Sequence, residues 1–412
     1  MAKEFSFNDL DEQLTKISPK GSVISINTFS KIDEWIGTGN YLLNAQLSGS
    51  LFGGIPNSRS ICLAGESGTG KTFLALNICR EAQDMGYNII YCDSEAAVDQ
   101  ETIQNFGVDP DKFRYQPVST PLEVRQFVAH LCDTLKKVKE KGSTLPKIML
   151  VLDSLGNLAT TKERTDAMSG SDKRDMTKQQ ELRSLFRVIT ADLAELKVPF
   201  VFTNHTYATI GSYVPGQTIS GGGGAIYNAS VILQLSKAGL KEDGTNKTGI
   251  IVTSKPAKNR FARPLPIKFH ISFYKGMNPY VGLEQFLSWE NCGIQRGKLL
   301  TEKEFLKYYK EDHVKHAEVK ATEFERVNAE TGEVEKMYLE AKETARSIAV
   351  RHLGDIIKPQ ELFSSKVFTK ELLKELDETF IQSMFKLPNV STLGDIESEE
   401  IMDIIDDNND ED

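Results

Sequence analysis

Apolar residues in this chain fall into short continuous runs separated by longer stretches of helical period. Arg59-Ser-Ile-Cys-Leu-Ala64, Asn88-Ile-Ile-Tyr-Cys92, Lys147-Ile-Met-Leu-Val-Leu152 and Val198-Pro-Phe-Val-Phe-Thr203 predict strands. Helices are predicted between them, from Phe73 to Gln83, from Pro121 to Lys139 and around 179–197. In the last of these Leu182, Leu185, Phe186, Ile189, Leu193 and Leu196 recur at three- and four-residue spacing, a stripe that core packing explains fully. Continuous apolar strands alternating with helices predict an α/β fold, a mostly parallel sheet with helices on both faces. Three further strand-like runs, 230–235, 249–253 and 267–274, follow with only turns between them and predict an antiparallel extension. The expected core spans about 31–295.

The flanks read differently. Residues 1–30 carry Phe5, Phe7, Leu10 and Leu14, then the alternating Ser22-Val-Ile-Ser-Ile-Asn27, which predicts a short strand. Such a strand either packs on its own domain or adds to a neighbouring subunit's sheet. From 296 to 390 the pattern turns charged and helix-forming, with Lys/Glu-rich stretches at 303–325 and 335–346, and predicts a small, mainly helical region. Residues 391–412 predict an acidic, disordered tail.

Between the first strand and the first helix of the core, Gly65-Glu66-Ser67-Gly68-Thr69-Gly70-Lys71-Thr72 fits G-x-x-x-x-G-K-[ST], the phosphate-binding loop. The glycines let the backbone curl until successive N–H groups form an anion nest. Lys71 then reaches the β- and γ-phosphates of ATP, and the Thr72 hydroxyl can ligate Mg²⁺. Asp153 ends the buried run Ile148–Leu152, where nucleotide hydrolases place the carboxylate of the Mg²⁺ shell. Glu95 and Asp93 follow the run Asn88–Cys92, at a strand end where ligands sit. Either can activate water; Glu95 has the longer arm. Asn204-His205 ends the run 198–203, and serves either to sense the γ-phosphate or to cap a turn.

Two polar loops leave these strand ends. One, 156–178, carries Lys162, Arg164, Lys173, Arg174 and Lys178. The other, 209–225, contains Tyr213 and four consecutive glycines, Gly221, Gly222, Gly223 and Gly224. Basic groups with a glycine-rich, aromatic-bearing partner suit a phosphate backbone and unstacked bases. The formal charge of −9 argues against a nucleic-acid binder only superficially. Ten acidic residues lie between 395 and 412, with no Lys or Arg, which leaves the rest of the chain at +1. Five scattered cysteines without C-x-x-C spacing speak against metal or disulfide duty. No run approaches 18 apolar residues and the start lacks a secretory pattern, so a soluble cytoplasmic protein without a membrane partner is expected.

Taken with N-F-G-V-D-P at 105–110, V-L-D-S-L-G-N-L at 151–158, S-L-F-R-V-I-T at 184–190, N-H-T-Y at 204–207 and M-N-P-Y-V-G-L at 277–283, these motifs resemble the RecA-type recombinases, in particular their phage branch. The resemblance covers about 30–290. It implies an ATP- and Mg²⁺-dependent, DNA-dependent ATPase that polymerises on single-stranded DNA, pairs it with double-stranded DNA and exchanges strands. Single-strand-binding and mediator proteins are implied partners, and for a phage-encoded chain the host cytoplasm is the implied location. Lys71, Glu95 and His205 resemble the family's catalytic positions, with Glu95 as water activator and His205 as γ-phosphate sensor. Tyr280 resembles the aromatic against adenine, and Lys255 or Lys258 a lysine reaching the neighbouring subunit's ATP. The Pro256-Ala257 spacing departs from the family there. A hexameric helicase of the same fold and a nucleotide-gated scaffold without DNA are the rival expectations.

Overall fold

The structure is a computed structural model that describes residues 6–18, 21–24, 31–169, 177–208, 217–219, 228–240, 248–310, 321–327 and 332–388. It opens with helix α1 (Phe7–Ile17), then β1 (Trp35–Ile36), α2 (Tyr41–Ser48), β2 (Ile55–Pro56) and β3 (Ser60–Gly65). There follow α3 (Lys71–Asp84), β4 (Asn88–Asp93), α4 (Gln100–Asn105), β5 (Phe113–Pro117), α5 (Pro121–Glu140) and β6 (Ile148–Asp153). After α6 (Thr161–Ser169) and α7 (Lys178–Glu195) the chain forms β7 (Phe200–Ala208), β8 (Gln217–Ile219), β9 (Val231–Leu240), β10 (Gly249–Asn259), β11 (Ile267–Ser272) and β12 (Gly276–Met277).

Among the described residues the main sheet runs β12-β11-β10-β9-β3-β7-β6-β4-β5, with β8 pairing off β7. The pairs from β9 through β3, β7, β6 and β4 to β5 are parallel, and those from β9 to β12 are antiparallel. The period-2 pleat sorts the buried strand residues onto two faces. Ile61, Leu63, Ile89, Tyr91, Met149, Val151 and Val201 join α3 in one core; Cys62, Ala64, Ile90, Cys92, Leu150, Leu152, Phe200 and Phe202 meet α5 and α7 in the other. Both faces are covered, which is why these strands read as continuous apolar runs.

Parallel pairing fixes the site. Register sets Gly65 beside His205 and Asp93 beside Asp153, so the carboxyl ends of β3, β4, β6 and β7 open on one edge of the sheet. That is where an open α/β sheet binds its ligand.

The expectation of a mainly helical region after 296 is corrected in part. Helical turns are present at Glu302–Lys310, Lys370–Leu376 and Gln382–Phe385. Alongside them β13 (Ile294–Thr301), β14 (Ala321–Val327), β15 (Val334–Ala341), β16 (Ile348–Val350) and β17 (Asp355–Ile357) form an antiparallel sheet in the order β14-β15-β13-β16-β17. Lys and Glu on the solvent face of these strands gave the sequence its helix-forming look, and strand pairing overrode that propensity. Nor is the region a separate body: Ile294, Ile348, Val350, Phe368 and Leu376 belong to the α3-side core. Asp377 accepts from Leu51 N at 2.6 Å and from Ser50 Oγ at 2.8 Å.

At the other end, a helix α1 stands where the sequence suggested only apolar residues. Ser6 and Asp9 form its capping box. The described part of the expected strand, residues 22–24, does not take up strand conformation, and 25–30 lie outside the described residues. The tail 391–412 also lies outside them. No helix among the described residues is long and apolar enough to cross a membrane.

Candidate nucleotide and DNA site

The loop from Gly65 to Thr72 joins β3 to the N-terminus of α3. Gly68 and Gly70 have φ of +71° and +89°, the left-handed region in which a Cβ is strained. Close approach matters at Gly65, where an added Cβ would meet Thr69 Oγ1 at 2.6 Å and Leu235 O at 2.7 Å. These constraints leave the loop as a backbone cradle over the positive end of the helix dipole. Lys71 is buried, and its Nζ donates to the Gly65 and Glu66 carbonyls at 2.9 Å each. Burial pushes its ammonium pKa down; Asp153 and Glu95 partly offset this.

Thr72 Oγ1 donates to Asp153 Oδ2 at 2.6 Å, and Tyr91 OH donates to the same oxygen at 2.8 Å. Thr203 Oγ1 donates to Asp153 Oδ1. One carboxylate held by three hydroxyls beside the phosphate loop fits Mg²⁺, which keeps several waters and takes its remaining ligands from substrate phosphates. Among the described residues no cluster of three or more His, Cys, Asp or Glu side chains could hold an ion without such help.

The two candidates for water activation separate cleanly. Asp93 is buried, and its carboxylate accepts from Glu95 N at 2.8 Å and Ala97 N at 2.9 Å, so it caps the turn. Glu95 projects from that turn. Its Oε1 accepts from Ser154 Oγ and lies 2.9 Å from His205 Nε2. Burial alone would raise the Glu95 carboxyl. Hydrogen bonds from Ser154 and His205, with the charges of His205 and Lys71, outweigh burial and hold it below its usual range. Gly156 packs against the same pair: a Cβ there would meet His205 Cδ2 at 2.9 Å and Asn204 Oδ1 at 3.0 Å.

Of the expected DNA contacts, Lys162 and Arg164 lie exposed on α6, where Arg164 pairs with Glu123 at 3.2 Å. Lys178 opens α7 and donates to Gly156 O at 3.1 Å. Lys173, Arg174, Tyr213 and Gly221 to Gly224 lie outside the described residues.

One expectation meets a different placement. Tyr280 stacks on Phe368, with centroids 5.1 Å apart, and on Tyr41 at 5.6 Å. The cavity beside the phosphate loop, about 610 Å³, is lined instead by Phe73, Phe106, Phe273 and Tyr274, among others. Lys255 and Lys258 pair with Gln234 and Ile232 on β9, across a bulge between Pro256 and Lys258. Ile232 is in turn level with Cys62, so Lys258 sits near the start of β3, at the opposite end from Gly65. Lys255, by contrast, is level through Gln234 with Ala64, next to the phosphate loop.

Sequence reasoning missed Ser154, Tyr91 and Thr203. Ser154 and Thr203 stand next to Asp153 and Asn204 and Tyr91 two residues before Asp93, but only the register of three strands shows which hydrogen bonds they make.

Phosphate loop, carboxylates and histidine at the carboxyl edge of this sheet define a P-loop ATPase with the RecA-like arrangement. The RecA N-terminal domain family matches residues 7–278. The chain is 29% identical over 282 residues to the recombination and repair protein of Enterobacteria phage T4, covering 67% of this chain and 69% of that protein. It is 30% identical over 280 residues to Protein RecA of Fusobacterium nucleatum, covering 67% and 70%. The chain belongs to the RecA family. Its function is therefore ATP-dependent DNA recombination, and the helicase and scaffold alternatives are not favoured.

Proposed function

We propose that the chain forms a filament on single-stranded DNA, binds ATP between stacked subunits, and pairs and exchanges homologous strands under control of the γ-phosphate. The observation that carries this reading is the 2.9 Å contact between His205 Nε2 and Glu95 Oε1. It ties the carboxylate suited to activating water to β7, which leads into the glycine-rich loop 209–225. A γ-phosphate offers His205 a competing acceptor. On that exchange the histidine releases Glu95 to take a proton from the attacking water, and the strand leading into the second DNA loop is reset. Lys71 turns from the Gly65 and Glu66 carbonyls to the phosphates. Thr72 and Asp153 would hold Mg²⁺, which would supply positive charge at the phosphate oxygens. Phe273 and Tyr274, rather than Tyr280, are suited to the adenine.

The filament part rests on surfaces left open. Phe7, Leu10, Leu14 and Ile17 form an apolar stripe on α1 that stays exposed, Phe7 by 69% and Ile17 by 82%. At the sheet's edge β5 pairs with β4 alone among the described residues, so the alternating run 22–27 of a second copy could extend it. Lys258 sits beside Arg260 at the far end of the sheet, where burial and the Arg260 charge both push its ammonium down. A neighbour's phosphates would relieve that repulsion, which favours Lys258 over the exposed Lys255. Single-strand-binding and mediator proteins are the partners this role calls for, since the strand must be handed over.

Negative-stain imaging with an ATP analogue, with and without single-stranded DNA, tests the whole reading. Filaments and DNA-stimulated turnover are expected, with DNA affinity falling steeply as salt rises. A protein that stayed monomeric and hydrolysed ATP at a rate indifferent to DNA would end it.

A pH profile tests the Glu95 assignment. With its pKa held down, the carboxylate stays ionised through neutral and mildly acidic pH, and activity is lost only as pH falls through that depressed value. Removing a hydrogen bond to the charged form raises the pKa. Ser154→Ala should therefore shift the acid limb of kcat/KM to higher pH; an unmoved limb would take the water-activating role away from Glu95.

A further inference from the structure

Lys237 belongs to β9, far from the phosphate loop in sequence. Register puts Leu235 of β9 level with Gly65, so the strand runs past the end of β3 and over the loop. Val231, Leu233 and Leu235 all face the α3-side core. By the same alternation residue 237 points to that face, beyond the sheet's end. There its exposed ammonium donates to the Ser67 carbonyl at 2.6 Å. A Cβ added to Gly68 would come within 2.7 Å of Lys237 Nζ.

The Ser67 carbonyl and the Gly68 N–H belong to one peptide unit. In a planar trans peptide the two point in opposite directions. A cation that holds the carbonyl on the outer side of the loop therefore turns the N–H inward, as the anion nest requires. We propose that Lys237 is a positioning residue for the nucleotide: it pins the Ser67–Gly68 peptide with the Gly68 N–H toward the triphosphate. Glycine at 68 makes this clamp necessary, because its backbone has few internal restraints against flipping. The inference rests on the ATPase reading of the same loop and adds a residue from a different strand to it. Lys71 grips the loop from inside and moves to the phosphates; Lys237 grips it from outside and stays.

The test is equilibrium binding of a fluorescent ATP analogue, with Mg²⁺ and without DNA, to the wild type, Lys237→Met, Lys237→Arg and Lys71→Ala. Lys237 is exposed, so its variants should fold. Loss of one hydrogen bond to a charged group weakens binding about tenfold or more. Lys237→Met should show that loss, with KM for ATP rising more than kcat falls, and Lys237→Arg should recover most of the affinity. Lys237→Met binding the analogue as tightly as a wild type that does bind would overturn the proposal. So would an Arg variant no better than Met, or a Met variant impaired only in binding single-stranded DNA. A wild type that bound no analogue would instead remove the ATPase reading itself.

Discussion

Glu95→Gln should leave ATP bound and filaments intact while turnover falls by roughly two to four orders of magnitude, the usual worth of a positioned general base. The substitution keeps the shape of the side chain and an oxygen to accept from Ser154 Oγ, but removes the group that can take a proton. Asp93 cannot substitute: it is buried, and its oxygens are committed to the N–H groups of Glu95 and Ala97. Asp153 cannot either, being held by Thr72, Tyr91 and Thr203. Single-turnover hydrolysis with imaging of the same sample separates chemistry from assembly. Turnover near the wild-type rate would move the base role off residue 95, and filaments that fell apart would show that the carboxylate's bond to His205 is needed for assembly rather than for chemistry.

Lys71→Ala should abolish nucleotide binding and, with it, strand exchange. Lys71 Nζ already lies inside the loop on the Gly65 and Glu66 carbonyls, and swinging to the phosphates exchanges those neutral acceptors for charged ones. Two hydrogen bonds to a charged group are worth about 3–6 kcal/mol, so affinity should fall by about a hundredfold or more. Burial has already shed part of the ammonium's hydration, as its lowered pKa reflects, so little further desolvation opposes binding. A fluorescent ATP analogue measures the loss directly. Retained strand exchange in this variant would refute the placement of the nucleotide in this loop.

The chemistry-bearing positions that were legible in the sequence are those carried by local spacing. Gly65 to Thr72 announces its own backbone, because only glycine takes φ near +71° and +89° without strain and the pattern fixes where those residues fall. Asp153, Glu95 and His205 could be singled out because parallel strands buried on both faces read as continuous apolar runs, and ligands gather where such runs end. Other features needed partners distant in the chain. Tyr280 resembled the family's adenine contact, and only the fold shows its ring stacked on Phe368 and Tyr41. The strands β14 and β15 looked helical because the stretches 303–325 and 335–346 are rich in Lys and Glu, whose helix propensity the pairing overrides.

The amino-acid order alone determined the class of fold, the phosphate cradle and the edge of the sheet on which the chemistry stands, since each follows from period and spacing within a dozen residues. Tertiary structure decided which carboxylate is free to work, which residues hold it, which end of the sheet receives Lys258, and that Lys237 reaches Ser67. Those outcomes depend on strand register, a property of pairs of segments up to 170 residues apart, and register is set by packing the two cores at once rather than by any one stretch of chain.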